Sequence, residues 1–388
     1  MIRQAALYLA SPDDARAAEL PVAGRPLAFR AVLAAVRAGA VRVGVPGALR
    51  GTAVERAIAA SPRARAVVVW LPDGGLDDAP ALLLPAAGLA PPPALARLLV
   101  AGTPAVLAES RASGAPVVAA DAALVRALAP RLAAGAPVGD ALAAALARGA
   151  GVLHGDAWFV RARDLADARQ AEAHLYAGLG SPLDTRLDRA VHRRLSRPVS
   201  RLAVRWGVGP NPITLLSLLA GAGAAWCLWG ATPASALAGL LLYLVAVVLD
   251  HSDGEVARLG LTESELGEWL DITADTVVHA WLVLAMGVTS ARVADGGGVV
   301  TGAVAAAGVV ASAVVAKVSP TLVVGDGGTR VGRLLAGLGT RDGYYAMLVL
   351  FILLLAALPA ALPWLMALVA AGSHAYWLGR AAYALRRR

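Results

Sequence analysis

The chain has 388 residues, of which 58% are hydrophobic and 16% are charged. Its mean hydropathy of +0.64 excludes a disordered chain, and its charged fraction lies well below the roughly 25% of soluble globular proteins. Basic residues exceed acidic ones by 35 to 27, a net charge of +8, which suits a membrane protein with cytoplasmic arginines as well as a nucleic-acid-binding protein. The single cysteine, Cys227, excludes a disulfide framework and a thiolate metal cluster within one chain.

Residues 1–180 have the pattern of a cytoplasmic α/β domain. The first apolar run is too short for a secretory signal and is followed at once by Ser11 and Pro12. Short apolar runs typical of buried strands then alternate with Ala- and Arg-rich stretches of helical period. The predicted strands are Ala5–Ala10, Val41–Val45, Val67–Leu71 and Val117–Ala119.

Residues 181–210 predict an amphipathic helix and a linker. Within Asp184–Arg205, Leu187, Val191 and Leu195 follow an i, i+4, i+8 spacing with arginines around them. This pattern favours a helix lying on the anionic inner leaflet of a membrane. A solvated connector is the alternative.

Residues 211–388 predict an all-α transmembrane domain of six helices. A helix needs roughly 20 residues to cross a hydrocarbon core about 30 Å thick. The second and third apolar runs reach that length only if the polar segments 250–258 and 267–275 continue the same helices. The runs are Asn211–Gly230, Pro233–Leu249, Val277–Ser290, Val299–Val324, Met347–Leu358 and Leu362–Ala371.

The arginines predict the orientation. Six spans place both ends of this domain on one side, together with the loops near 258–265 and 325–341. That side carries most of the basic residues near the helix ends, and the opposite loops carry only Arg292. By the positive-inside rule, the N-terminal domain and both termini are cytoplasmic in a multi-pass protein of the inner (plasma) membrane. The basic residues are Arg258, Arg330, Arg333, Arg341 and Arg386–Arg388.

The most informative stretch runs from residue 250 to residue 275. Its small and acidic residues recur every three or four positions, so each of two sets shares one helix face. Two antiparallel helices could turn these faces toward each other at one membrane edge. The first set is Asp250, Asp253, Gly254 and Ala257, and the second is Gly267, Asp271 and Asp275.

Four carboxylates so close together repel one another, and near lipid they are costly. Hard divalent cations relieve this repulsion, and such cations also hold substrate phosphates. We therefore expect a pair of Mg²⁺ or Mn²⁺ ions that polarises a phosphoryl group. A network of Asp–Arg pairs, or a divalent metal transporter using the cluster inside the bilayer, is the alternative. The expected ligands are Asp250, Asp253, Asp271 and Asp275.

The spacing D-x2-D-G-x2-A-R-x8-G-x3-D-x3-D resembles the CDP-alcohol phosphotransferase signature at every defined position. Members of that family are six-helix membrane enzymes that move a phospho-alcohol from a CDP carrier to a second hydroxyl and release CMP. The resemblance covers roughly residues 180–388. It implies that the four aspartates bind the metals, that Asp275 is also the general base, and that the protein is a homodimer with no nucleic-acid partner.

The same resemblance implies the nucleotide site. Gly254, Ala257 and Gly267 would border the nucleotide, and Arg258 would meet the diphosphate. Asn211 and Thr214 match the family's start of the first span and would contact the nucleotide. Taken without the main motif, these last two residues fit helix capping equally well.

Lys317, in the fourth apolar run, is the only lysine of the chain. An ammonium at membrane depth is expected to face a polar cavity or a partner. A phosphate-bearing acceptor such as an inositol phosphate would be such a partner, with Arg193, Arg194, Arg197 or Arg341 as helpers. An ion pair with an aspartate, or snorkelling to the interface, is the alternative.

Short segments of the N-terminal part resemble a sugar-phosphate nucleotidyltransferase: 7–10, 20–27 and 39–45. The junction near 158–201 is similar to that of bifunctional inositol-1-phosphate cytidylyltransferase/di-inositol-phosphate-phosphate synthases. The expected Gly-rich phosphate loop is replaced by Ser11–Arg16, and the lysine expected before Pro21 is absent. We expect a degenerate domain that acts as scaffold or regulator. The alternative is a bifunctional enzyme that makes its own CDP-alcohol from CTP.

Overall fold

The computed structural model forms two compact units, Met1–Leu179 and Gly180–Arg388. It describes residues 2–147, 151–153, 157–180, 184–294, 297–318 and 340–386. Several residues used to predict the orientation lie outside these ranges: Arg330, Arg333, Arg387, Arg388 and the end of the run Val299–Val324.

The first unit is built on a mixed seven-stranded sheet. Its strands are parallel where β1 meets its two neighbours, whereas β9 runs antiparallel to β6 and β8. From edge to edge the sheet contains β10 (Gly151–Leu153), β8 (Ala105–Leu107), β9 (Val118–Ala120), β6 (Ala81–Pro85), β1 (Gln4–Tyr8), β4 (Arg42–Val45) and β5 (Val68–Trp70). The pairs β2 (Pro21–Val22) with β3 (Arg25–Pro26), and β7 (Gly88–Leu89) with β11 (Val160–Arg161), form two small antiparallel sheets.

The central strands of this sheet form where apolar runs of the sequence can be buried. Every residue of β1 and of β6 is buried, as expected for strands covered on both faces by helices. The predicted α/β organisation is confirmed, and each of the four predicted strands lies within two residues of an observed one. The helices are α1 (Asp14–Ala17), α2 (Leu27–Ala38), α3 (Ala53–Ala60), α4 (Pro62–Val67), α5 (Pro92–Val100), α6 (Ala108–Arg111), α7 (Ala122–Ala133), α8 (Gly139–Leu146) and α9 (Leu165–Ala177).

The second unit begins with the predicted amphipathic helix. A π-helical turn, Asp188–His192, leads into α10 (Arg193–Trp206). The helix ends at Gly207, whose φ of 69° lies in the left-handed region that glycine tolerates best. Its inward face is polar and buried, and its outward face carries large apolar side chains. The buried residues are Asp188, His192, Arg193, Ser196 and Ser200, and the exposed ones are Leu195, Leu202 and Trp206.

Long apolar helices make up the remainder of the described chain. They are α11 (Pro210–Leu228), α12 (Pro233–Gly260), α13 (Glu265–Ala294), α14 (Gly298–Val318), α15 (Arg341–Ala357) and α16 (Leu362–Arg386). Four of them, α11 to α14, are long and apolar enough to cross a membrane. Both α12 and α13 continue through the carboxylate segments, as the length argument required.

Small residues allow these helices to approach closely. A Cβ added at Gly287 of α13 would lie 2.4 Å from the Gly298 carbonyl oxygen and 2.6 Å from the Gly302 Cα, so the two backbones are in direct contact. Such contacts are typical of helices packed within membranes. Helix α11 packs against both α12 and α13, around a buried cluster that includes Tyr243 and Leu282. This arrangement fixes the two carboxylate-bearing helices relative to each other.

Candidate active site

Three of the four aspartates meet in space. Asp250 and Asp253 of α12 and Asp271 of α13 offer oxygen atoms that all lie within 4.8 Å of one another. Because every donor is a carboxylate oxygen, the set suits a hard divalent cation. This chain therefore has an acidic cluster that could hold a metal, built from the two helices that the motif spans.

The start of α11 contributes to the same place. The Thr214 hydroxyl donates to Oδ2 of the buried Asp253 at 2.5 Å. A Cβ added at Gly267 would lie 3.7 Å from the Asn211 Oδ1. The start of α11 thus lies close to Asp253 of α12 through Thr214 and to Gly267 of α13 through Asn211.

The remaining predicted nucleotide residues follow Asp253 on α12. A Cβ added at Gly254 would lie 3.5 Å from the Arg258 Nη1, so the missing side chain gives the guanidinium room. Ala257 is half-buried one turn further along. Their contact with a nucleotide stays a prediction.

Arg341, at the start of α15, reaches the cluster from a third direction. Its Nη2 donates to the Asp250 carboxylate, and its Nη1 lies 3.5 Å from the His251 Nε2. One Asp–Arg pair of the kind considered from sequence is therefore present. It offsets part of the negative charge of the cluster.

Asp275 stands one turn beyond Asp271 and outside this group of three. Its side chain is 41% exposed, and its Oδ1 lies 3.4 Å from the His279 Nδ1. The same nitrogen is 2.7 Å from the Asp275 backbone carbonyl oxygen. Asp275 therefore has a different environment from Asp250, Asp253 and Asp271.

A cavity of about 1160 Å³ opens beside these residues. Its polar end contains Asp271, Asp275 and Arg341, whereas its other end is lined by Leu350 and Leu368 among other apolar side chains. The lining extends along α13 from Glu268 to Val283, fifteen residues or roughly 22 Å of helix. The cavity is therefore polar near the carboxylates and apolar along its depth.

Lys317 lines the polar end of this cavity. Its ammonium donates to Glu268 Oε1 and lies 5.0 Å from the centre of the Trp269 ring. Its carboxylate partner is thus a glutamate at the start of α13, not one of the four aspartates. The other acceptor candidates, Arg193, Arg194 and Arg197, are not among the described residues that line the cavity.

Arg193 instead fastens α10 to α12. It donates to Asp184 at 2.8 and 3.0 Å and to Glu255 at 2.9 Å. Glu255 is fully buried and also accepts from Ser196 at 2.8 Å and Ser200 at 2.6 Å. Burial alone would lower the pKa of Arg193, but its bonds to Asp184 and Glu255 outweigh burial and raise that pKa.

A second buried group lies beside this contact. The Asp188 Oδ1 is 2.8 Å from the His192 Nδ1 and 3.1 Å from the His251 Nε2. Burial alone would raise the pKa of Asp188, but hydrogen bonds from the Thr185 N–H and from His192 hold that pKa below its usual range. Since His251 is the neighbour of Asp250, this group links α10 to the acidic cluster.

Sequence reasoning missed several of these residues. Glu255 could have been found, because an ionisable side chain in an apolar helix ordinarily has a buried partner. His279 could also have been found, since it lies four residues after Asp275 on the same helix face. The Tyr243 hydroxyl lies 2.9 Å from the His279 Nε2, and the Tyr345 hydroxyl lies 3.1 Å from the His192 Nε2. These two contacts depend on how distant helices pack and had no sequence signature.

The loop after β1 in the first unit is fixed by hydrogen bonds to the Asp14 carboxylate. The Ala10 N–H and the Ser11 hydroxyl each donate to the Asp14 carboxylate at 2.7 Å. The Arg161 Nη2 donates to the same carboxylate at 2.8 Å. Asp14 is only 2% exposed, so this loop is held from within.

Comparison with known proteins identifies the C-terminal part. Residues 208–378 match the family model of the CDP-alcohol phosphatidyltransferases. The C-terminal part of the chain therefore resembles a CDP-alcohol phosphatidyltransferase domain. The resemblance seen in the aspartate motif is thereby confirmed for the C-terminal part, and the four long apolar helices together with this match indicate a membrane protein.

Two curated relatives share segments with the chain. A bifunctional IPC transferase and DIPP synthase of Archaeoglobus fulgidus is 36% identical over 113 residues, which are 29% of this chain and 22% of that protein. A CDP-diacylglycerol–serine O-phosphatidyltransferase of Mycobacterium leprae is 40% identical over 82 residues, which are 21% of this chain and 26% of that protein. The matched segment spans about a quarter of the length of each relative.

Proposed function

We propose that the protein is an integral-membrane phosphotransferase that moves a phospho-alcohol from a CDP-alcohol to an acceptor hydroxyl and releases CMP. The observation that carries this proposal is the meeting of Asp250, Asp253 and Asp271 beside a large cavity. These three aspartates belong to the family motif. A transporter would need the cluster on a path across the membrane, whereas it lies near the ends of α12 and α13.

The acidic cluster is proposed to hold Mg²⁺ or Mn²⁺. Asp250, Asp253 and Asp271 would be ligands, and Asp275 would complete the set for a second ion. When bound, such ions neutralise the diphosphate of the donor and make CMP a better leaving group. The oxygen-only donor set and the concentrated negative charge support this assignment.

Asp275 is proposed as the general base. Its exposed carboxylate would take the proton of the acceptor hydroxyl as that oxygen attacks the phosphorus bearing the donor alcohol. The bond from this phosphorus to the bridging oxygen then breaks, and the electron pair leaves with CMP. Positioning and electrostatics carry most of the rate of such reactions, and a base adds typically about 10²–10⁴-fold.

We propose that at least one substrate carries an acyl chain. The depth of the cavity beyond Asp275 is lined by apolar residues such as Leu350, Leu365 and Leu368. A soluble CDP-alcohol and a soluble acceptor would leave this apolar surface facing water, which is unfavourable. One of the relatives is named for a CDP-diacylglycerol substrate. A lipid donor of that kind would place its acyl chains along the apolar lining of this cavity.

The polar acceptor is proposed to be an inositol phosphate or another polar alcohol. Lys317 and Arg341 line the same end of the cavity as Asp275, so a phosphate there would meet positive charge. Arg193, which donates to Asp184 and Glu255, is not among the described residues that line this cavity, and neither are Arg194 and Arg197. We therefore rank Lys317 and Arg341 above Arg193, Arg194 and Arg197 as acceptor ligands.

The first unit is proposed to be a degenerate nucleotidyltransferase-like domain. Open α/β sheets bind ligands beyond the carboxyl ends of strands, where successive strands move to opposite sides, and β1 with its loop occupies that place. There Asp14 takes the N–H and hydroxyl donors that a phosphate would need. Pyrophosphate release when the full chain is given CTP and inositol 1-phosphate would instead support the bifunctional alternative.

The placement in the membrane is also part of the proposal. We propose that α15 and α16 complete six spans, that α10 lies on the inner leaflet with Leu195, Leu202 and Trp206 toward lipid, and that both termini are cytoplasmic. The family resemblance adds a homodimer. The exposed apolar residues of α10 support the interfacial placement.

The deciding experiment is a screen of the purified full chain in lipid nanodiscs. CDP-diacylglycerol, CDP-glycerol and CDP-inositol are each offered with L-serine or inositol 1-phosphate, with Mn²⁺ or with EDTA, and CMP is measured. We expect metal-dependent CMP release that requires an acceptor and is lost in Asp271→Asn. Mn²⁺ uptake into liposomes without CMP release from any pair would refute the enzyme and favour a transporter.

A further inference from the structure

The general base that is proposed above has a neighbour that no motif includes. His279 lies one turn after Asp275 on α13 and is only 6% exposed. Its ring lies between the Asp275 backbone on one side and the Tyr243 hydroxyl on the other. It also lines the cavity beside Asp275.

The hydrogen-bond partners fix which ring nitrogen carries the proton. The His279 Nδ1 is 2.7 Å from the Asp275 carbonyl oxygen, which can only accept, so Nδ1 carries the hydrogen. In the neutral ring the Nε2 is then an acceptor, and the Tyr243 hydroxyl lies 2.9 Å away, able to donate to it. Tyr243 is 1% exposed, so this partner is itself held in place.

The ring is also held against rotation. The Tyr344 ring packs on it with 4.0 Å between the ring centres, and the Tyr243 ring meets it edge to face at 5.8 Å. Hydrogen bonds at both nitrogens and aromatic contacts therefore leave the imidazole a single orientation. In that orientation the Nδ1–H faces Asp275.

We propose that His279 is a positioning residue that holds the Asp275 carboxylate toward the acceptor, through its Nδ1–H. The Asp275 Oδ1 is 3.4 Å from this nitrogen, longer than a strong hydrogen bond. Contacts of this kind often tighten when substrate binds. Since Nδ1 already carries a hydrogen, the ring cannot take the proton that Asp275 removes, and its role is orientation.

The inference rests on the proposed function, and its test uses the full chain in nanodiscs with the most active donor and acceptor of the screen above. In His279→Asn the side-chain amide can take the place of the Nδ1 donor, whereas in His279→Gln it lies near the Nε2 position. Because a misplacement of about 1 Å can cost about 10²-fold, we expect His279→Gln to lower kcat by about 10- to 100-fold. Its KM values should stay within about twofold, and His279→Asn should recover most of kcat.

A matched control uses another membrane-domain histidine. His374, whose Nε2 lies 2.9 Å from the Val304 carbonyl oxygen, is not among the described residues that line the cavity. His374→Gln should leave kcat unchanged. Mn²⁺ binding, measured by electron paramagnetic resonance, should be kept in His279→Gln, because the substitution leaves all four aspartate carboxylates in the chain.

The possible outcomes test the positioning role of His279 separately from the proposed phosphotransferase function. Full activity of His279→Gln, equal losses in the Asn and Gln variants, or a loss of Mn²⁺ binding would each overturn the positioning role. If His279→Gln does not fold, the positioning role is tested with His279→Asn and Tyr243→Phe. The role requires that His279→Asn is active and that Tyr243→Phe has a reduced kcat. A wild-type chain that releases no CMP overturns the proposed function, and the inference falls with it.

Discussion

The guanidinium of Arg341 donates to the Asp250 carboxylate from a helix that begins ninety-one residues further along the chain. This pair places a fixed positive charge beside three carboxylates that lie within 4.8 Å of one another. It reduces their mutual repulsion in a chain whose helices are long and apolar. The same charge competes with any cation that the cluster holds.

Arg341→Gln is expected to change metal binding and turnover in opposite directions. Removing the positive charge strengthens the attraction of the cluster for a cation, so the Kd for Mn²⁺ should fall about 3- to 10-fold. Turnover should fall, because Arg341 also lines the cavity, at the end proposed to hold the acceptor. Calorimetric titration with Mn²⁺ and CMP release measure the two effects. Arg341→Lys, which keeps the charge, is the control, and weaker Mn²⁺ binding in Arg341→Gln would contradict the account.

Arg193→Met should destabilise the C-terminal unit. The substitution leaves Glu255 buried without its cation, and breaking a buried pair in this way costs about 3–5 kcal/mol. Denaturation of the purified protein in detergent, followed by circular dichroism, measures the loss. Arg194→Met changes the exposed neighbour and should stay within about 0.5 kcal/mol of wild type. If Arg193→Met kept its stability and only raised the acceptor KM, Arg193 would be an acceptor ligand.

The lowered pKa of Asp188 predicts that the stability of the protein decreases in acid. Its pKa in the folded protein is below the usual value, through the Thr185 N–H and His192. It therefore contributes stability above the unfolded value of about 3.9, and this contribution is lost as pH falls below that value. The difference in Tm between wild type and Asp188→Asn should thus be largest at pH 6 and shrink between pH 4.5 and pH 3. A difference that grows toward low pH would show that the sign is wrong.

Lys317→Ala should weaken phosphate-bearing acceptors selectively. A charge-assisted bond to a phosphate is worth about 1.5–3 kcal/mol, so the KM for inositol 1-phosphate should rise about tenfold or more. The KM for L-serine should change little. Lys317→Arg keeps the positive charge, so its KM for inositol 1-phosphate should stay close to that of wild type. Equal KM values for inositol 1-phosphate in wild type and Lys317→Ala would assign Lys317 to its pair with Glu268 alone.

The sequence predicted those features that depend on local spacing. Helix periodicity was enough to place Asp250 and Asp253 on one face of a helix, and apolar runs were enough to locate the strand that contains Ala5. The family motif then supplied the chemistry that is proposed for these residues. Each of these rests on residues within a few turns of one another, where the geometry of a helix or strand leaves little freedom.

The sequence could not predict contacts between distant segments. Nothing near Arg193 indicates that its partner is Glu255, sixty-two residues away, and the closing of the β1 loop by Asp14 and Arg161 depends on packing across the first unit. Apolar side chains at Leu195 and Leu202 showed that α10 is amphipathic. They did not show that its inward face is a buried polar network, because hydrophobicity does not specify pairing among polar groups.

The most direct measurement compares wild type with Asp275→Asn in CMP release and in binding of the donor. The amide keeps the shape of the carboxylate but cannot take a proton, so CMP release should fall by about 10²–10⁴-fold, while the Kd for CDP-diacylglycerol should stay within about threefold. Near-normal turnover in Asp275→Asn, or turnover that persists in EDTA, would contradict an aspartate-based, metal-dependent transfer.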